Sequence, residues 1–167
     1  MAKEKVLKLS DYTRLDETVV AKCKEGVKKL ESFVERYSEA SKMEILEQLK
    51  ELEEIKREHG AYLSYFIRFY SQVSMYRENG EFMSSERKEL KSDCIEELIK
   101  GGKNQTTADK IVYNQPDYKD GIKDIQDIRV FLIHIYETYD LHKNIISRNI
   151  HQSISVLQKE LENLKRS

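Results

Sequence analysis

Proline occurs once in this chain of 167 residues and glycine six times. These two residues are the strongest local breaks of regular structure. Their scarcity excludes a turn-rich architecture and points to long uninterrupted helices. Cysteine is nearly absent too: Cys23 and Cys94 stand far apart with no metal-type spacing. That argues against a disulfide framework and for a reducing compartment. No apolar run is long enough to span a bilayer and no signal peptide is evident, so the expected location is the cytoplasm and no membrane partner is expected. Charge of one sign is also missing. The net charge is −1, which gives no global field to attract nucleic acid or anionic lipid.

What the chain has is charge in quantity. Charged residues make up 35% and apolar residues 39%, against a usual charged share of about a quarter. Elongated helices packing along narrow stripes expose enough surface for this composition. The charge is unevenly distributed. Residues 1–30 hold eight Lys/Arg against five Asp/Glu, and residues 31–60 hold five against nine. From 84 to 110, Arg87, Lys88, Lys91, Lys100, Lys103 and Lys110 recur through a polar region. Solvated helix faces and local basic patches both fit this pattern.

The apolar spacing predicts the helices. After an irregular stretch over 1–15, Val19, Val20, Cys23, Val27, Leu30 and Val34 recur at threes and fours. A second helix is expected from about Ser41 to Arg77. Its heptad series are Ile45, Leu52, His59, Phe66, Val73 and Ile55, Tyr62, Phe69, Tyr76. Gly60 reads as a kink or a point of close approach, and "NG" at 79–80 as the helix stop. A shorter helix follows from about Ser84 to Lys100. "TTADKIVYN" (106–114) adds about two turns, with Thr106 or Thr107 as N-cap. Neither glycine nor proline occurs from Ile122 to Ser167, where apolar residues keep helical spacing throughout. Some 45 helical residues extend roughly 65–70 Å, and beyond about Ser147 no equally apolar partner is evident within the chain. The expected class is therefore all-α, with long amphipathic helices in a bundle. Residues 16–121 form a helical domain and 122–167 a long C-terminal helix used for homo-oligomerisation.

Signals for catalysis are weak. No serine sits in a G-x-S-x-G elbow, and no enzymatic activity or cofactor is expected. His59 and His142 fall on apolar stripes and read as interior histidines. His134 and Glu137 stand one turn apart, but a di-metal bundle needs several such pairs. "KGGKNQTT" (100–107) holds phosphate-loop letters in the wrong order and without a preceding strand. It is an ordinary helix stop, or a flexible basic loop able to touch phosphates through Lys100, Lys103 and backbone amides.

The stretch "AYLSYFIRFYSQVSMYR" (61–77) stands apart. It holds six of the fifteen aromatic residues and two arginines. The helical stripe accounts for most of its rings as core, but not for Tyr65, Arg68 or Arg77. Aromatic rings interleaved with arginine are what sequence-independent single-strand binding uses, with stacking on bases and charge on phosphates. The stretch is either a core seam alone or a core seam with a binding edge.

The order of features carries a resemblance. A helical lead, a Tyr/Arg-rich helix containing "FIRFYS" (66–71), a polar loop, a basic helix and a "TADK" segment precede a long last helix containing "IISRNIHQSISVLQ" (145–158). This resembles the UvsY family of phage recombination mediators over roughly 41–160, with Ile146, Ser147, Arg148, Ile150, Ile154 and Gln158 matching its C-terminal run. The resemblance implies an oligomeric ring that binds single-stranded DNA. It also implies a role in helping a RecA-like recombinase displace a single-strand-binding protein, with no hydrolysis by the mediator. A phage-encoded chain would work in the cytoplasm of a bacterial host.

The resulting expectation is a DNA surface combining Tyr65, Arg68, Arg77, Lys100, Lys103 and Lys110. Oligomerisation is expected through Tyr139, Ile146, Ile150, Ile154, Leu157 and Leu161. One alternative is a helical adaptor or phage-encoded inhibitor without DNA affinity. Another is a metal-dependent nucleotide hydrolase, which requires Glu51, Glu54, Glu58 and His134 or Glu137 to gather in one pocket.

Overall fold

The computed structural model of the chain describes residues 9–167. The elements are α1 (Leu9–Tyr12), α2 (Glu17–Ala40), α3 (Ile45–Ser74), β1 (Arg77–Glu78), β2 (Glu81–Phe82), α4 (Ser84–Lys100), α5 (Gln105–Ile111), a 3₁₀ turn (Val112–Asn114), α6 (Pro116–Leu141), a π turn (His142–Ile146) and α7 (Ser147–Arg166). The fold is all-α, with one two-residue hairpin as its sole sheet among the described residues. No helix among them is long and apolar enough to cross a membrane.

Two compact units are present. One comprises Glu17–Ser71 and Ile135–Ser167; the other comprises the described residues up to Asp16 and Gln72–His134. This differs from the expected division into a 16–121 domain and a separate terminal helix. The last helix is shared between the units, and its C-terminal part is built into the first of them.

That first unit is a three-helix bundle. On α2, Val19, Cys23, Val27, Leu30 and Phe33 are buried; on α3, Leu52, Ile55, His59, Leu63 and Phe66 are. Both sets follow the spacing of a single helical stripe. Phe33 meets His59 edge-on at 5.2 Å, and Arg36 reaches Glu51 at 3.0 Å and also pairs with Glu58, so α2 and α3 run antiparallel. Gly26 fixes their closest approach, because a Cβ there would overlap the Phe66 ring. Gly60, expected to be a kink or a close-approach point, is exposed with open space where a Cβ would sit, and helix α3 runs through it without a break. It is simply a helical residue.

The C-terminal stretch completes the bundle. Ile135, Tyr139, His142, Ile150, Ile154 and Leu157 are buried. The Tyr37 and Ser153 hydroxyls lie 2.5 Å apart, and Lys56 Nζ lies 3.3 Å from His151 Nδ1. The expectation that this stretch lacks an apolar partner within the chain is therefore corrected: α2 and α3 cover it. Between α6 and α7 the π turn inserts one residue into the repeat. The His142 carbonyl there accepts from the Ser147 hydroxyl at 2.8 Å as well as from its backbone N–H.

In the second unit, Leu9, Leu15, Phe82, Met83, Val112, Ile125, Ile128 and Leu132 are buried. Of the expected irregular tail, residues 9–12 form a helical turn while 13–15 lack regular structure, and Leu9 and Leu15 anchor the segment in the interior; residues 1–8 lie outside the described residues. The "NG" pair does not stop α3, which already ends at Ser74. Asn79 (φ 52°) and Gly80 (φ 81°) instead form the two-residue turn of the hairpin. Pro116 opens α6 directly after a break at Gln115, since the first helical position needs no N–H donor. Gly121 is buried on α6, where a Cβ would lie 2.7 Å from a Leu90 methyl.

Candidate nucleic-acid interface

Residues 61–71 of α3 form a network of rings within the first unit. Tyr62 stacks on Phe66 at 6.2 Å, Tyr65 meets Phe69 edge-on at 5.5 Å, and Tyr70 stacks on Tyr139 at 4.0 Å and on Tyr136 at 5.4 Å. The Tyr70 hydroxyl donates to Asp140 at 3.3 Å. Burial, then the Tyr136 hydroxyl and the Asp140 carboxylate, push the Tyr70 phenol well above its ordinary value. Tyr70 therefore stays protonated and acts as a structural donor. Of the rings in the run Phe66 is buried, while Tyr62, Phe69, Tyr70 and Tyr76 are half-buried.

One edge of this network faces outward. Tyr65 is 40% exposed and Ile67 42%, and Arg68 is exposed one helical turn beyond Tyr65. Residues three apart share a helix face. The underside of Tyr65 rests on Tyr62 and Phe69, so its ring is held by packing while part of it meets solvent.

The remaining expected DNA contacts belong to the other unit. Arg77 is exposed on β1 opposite Phe82. Lys100 closes α4 and lies 3.6 Å from Glu96. Lys103 follows in the loop, and Lys110 sits in the last turn of α5; both are exposed. The structure thus brings Tyr65 together with Arg68 and divides that pair from Arg77, Lys100, Lys103 and Lys110. Three of the loop's backbone amides are already committed. The N–H groups of Gly101, Gly102 and Lys103 donate to Glu97, Ile99 and Leu98 at 3.0–3.1 Å. With Gly102 at φ +98° this is a glycine-terminated helix end that consumes its own amides. Asn104, not Thr106 or Thr107, caps α5, accepting from the Thr107 N–H at 2.8 Å.

Sequence reasoning missed a second aromatic–basic pair. Lys91 Nζ on α4 donates to the Tyr113 hydroxyl at 2.6 Å and lies 4.8 Å from the ring centroid. Lys91 and Tyr113 are 22 positions apart, so no local pattern announces them.

The residues expected of a hydrolase do not assemble. Glu51 and Glu58 are both committed to Arg36, whose guanidinium holds the Glu58 carboxyl below the usual range. Among the described residues, no three or more His, Cys, Asp or Glu gather as a metal ion would need. His59 and His142 are buried, with Nε2 and Nδ1 3.0 Å apart.

Of the six residues expected to oligomerise, Tyr139, Ile150, Ile154 and Leu157 are buried within the chain's own bundle, while Ile146 and Leu161 are half-buried. The apolar surface of the four buried residues is covered by the chain's own fold. Outward-facing apolar side chains on the same stretch are Leu141, Ile145, Val156 and Leu164.

No family model matches the chain, and no curated protein or solved structure matches it either.

Proposed function

We propose that this protein binds single-stranded DNA without catalysing a reaction, and that it acts as an oligomeric recombination mediator of the kind the UvsY resemblance implies, helping a RecA-like recombinase displace a single-strand-binding protein. The supporting observation is the Tyr65–Arg68 edge: a half-exposed ring fixed on a packed aromatic base, with a guanidinium one turn away. Ring and charge on a rigid helix match what base stacking and phosphate contact require. Affinity on a near-neutral chain comes from multivalency, as weak sites on several subunits engage one strand.

Assembly in this proposal uses the outward side of the last helix rather than its buried stripe. Ile145 and Val156 are eleven residues apart, about three turns, and so share a side. The same exposed apolar residues favour the second reading, an adaptor whose partner is another protein.

Fluorescence anisotropy of a labelled oligo-dT tests the proposal. Tyr65→Leu and Arg68→Gln are each expected to weaken binding about ten-fold, in line with about 1–3 kcal/mol per stacked base. Tight, salt-sensitive binding unchanged by both variants would remove this edge from the interface. No binding by the parent protein leaves the adaptor reading.

A further inference from the structure

The second unit carries an open groove of about 490 Å³ along α4, lined by Lys88, Lys91, Ser92, Ile99 and, from α5, Gln105. Lys91 ties this groove to Tyr113, which is 52% exposed. We propose that the groove and Tyr113 form a nucleotide subsite, in which Tyr113 stacks a base and Lys88 and Lys91 hold the adjoining phosphate. The inference rests on the single-strand reading above and adds a place for the strand that neither the sequence nor the Tyr65–Arg68 edge supplies.

The geometry of the pair carries the argument. An ammonium 2.6 Å from the hydroxyl and 4.8 Å from the centroid lies beyond the hydroxyl end of the ring, not over its centre. It therefore leaves the ring faces uncovered. Tyr118 meets Tyr113 at right angles, centroids 5.7 Å apart, and Tyr113 keeps about half of its surface exposed. Lys91 keeps its charge, its ammonium held above the ordinary value chiefly by the Tyr113 hydroxyl.

The lining suits a nucleotide. Two lysines supply the charge for a phosphate, Ile99, itself 41% exposed, offers an apolar wall, and the Ser92 hydroxyl and the carboxamide oxygen of Gln105, whose Nε2 donates to Asp109 at 2.9 Å, provide hydrogen-bonding groups tolerant of any base. The groove's acidic member, Glu96, faces Lys100 at 3.6 Å, which offsets its charge toward a phosphate. An acidic peptide would use the lysines but leave the exposed ring without a planar partner, so the single-stranded nucleic acid is favoured.

The test is anisotropy with labelled oligo-dT on the full chain, with thermal melts confirming that each variant folds. Tyr113→Leu is expected to weaken binding about ten-fold, while Tyr113→Phe, which keeps the ring, stays within about three-fold. The double variant Lys88→Gln, Lys91→Gln is expected to lower the slope of log affinity against log salt by about 0.7 per lost phosphate contact. Parent binding with all three variants unchanged would overturn the subsite and leave the Tyr65–Arg68 reading standing. Parent protein that does not bind oligo-dT would overturn both. Displacement of the strand by equimolar poly-glutamate, with Tyr113→Leu unaffected, would reassign the groove to an acidic peptide.

Discussion

Individual side chains separate core from surface here, and glycine shows it most directly. Gly26 is occupied by the Phe66 ring, so Gly26→Ala is expected to lower unfolding stability by about 1–3 kcal/mol through overpacking. Gly60 has open space and helical surroundings, so Gly60→Ala is expected to raise it by up to ~1 kcal/mol. Urea denaturation of the two variants checks both signs. The buried histidine pair gives a pH signature. Burial lowers the His59 imidazole, and burial together with His59 lowers His142 to about 4. Both are depressed below the unfolded value of about 6.5, so the unfolded state binds more protons between those limits and stability rises with pH there. The pair's contribution is fully present above pH ~6.5 and is lost as pH falls toward about 4, by an amount on the order of 2–3 kcal/mol for His142. Denaturation midpoints at pH 7 and pH 5 measure this, and His142→Gln is expected to flatten the dependence.

Whole elements were legible in the sequence to the extent that periodicity defines them. The stripes through Leu52, His59 and Phe66 and through Ile150, Ile154 and Leu157 are the buried faces of α3 and α7. The span of α4 also follows from its flanking signals. Periodicity does not say what a stripe packs against. An apolar face covered by the chain itself and one covered by a second subunit have the same spacing, and for this reason the last helix read as an assembly element. Nor does it reveal contacts between distant positions, such as Lys91 with Tyr113 or His59 with His142. The capping residue was misread because Asn104 and the two threonines are adjacent and all accept hydrogen bonds well. The distinction between buried and outward faces is measurable. Ile154→Ala is expected to cost about 2–5 kcal/mol of folding stability at a buried site. Val156→Asp, on an exposed site, is expected to leave the melting transition nearly unchanged while lowering the sedimentation coefficient of any assembly. A large loss of stability in Val156→Asp with the assembly intact would place the interface elsewhere.

For the whole molecule, composition and architecture agree: a chain rich in charge and poor in breaks folds as long helices whose cores are narrow. Two aromatic–basic edges, Tyr65 with Arg68 and Tyr113 with Lys91, lie in different units. In the proposed mode several subunits use these edges on one strand, which would give a chain of net charge −1 affinity for a polyanion. The measurement that tests it most directly is the anisotropy of a labelled oligo-dT titrated with the parent protein at low and at moderate salt. Saturable binding is expected, with an affinity that falls steeply with salt, as phosphate neutralisation requires. Absence of binding at low salt by folded protein would contradict it, leaving both edges as surfaces for a protein partner.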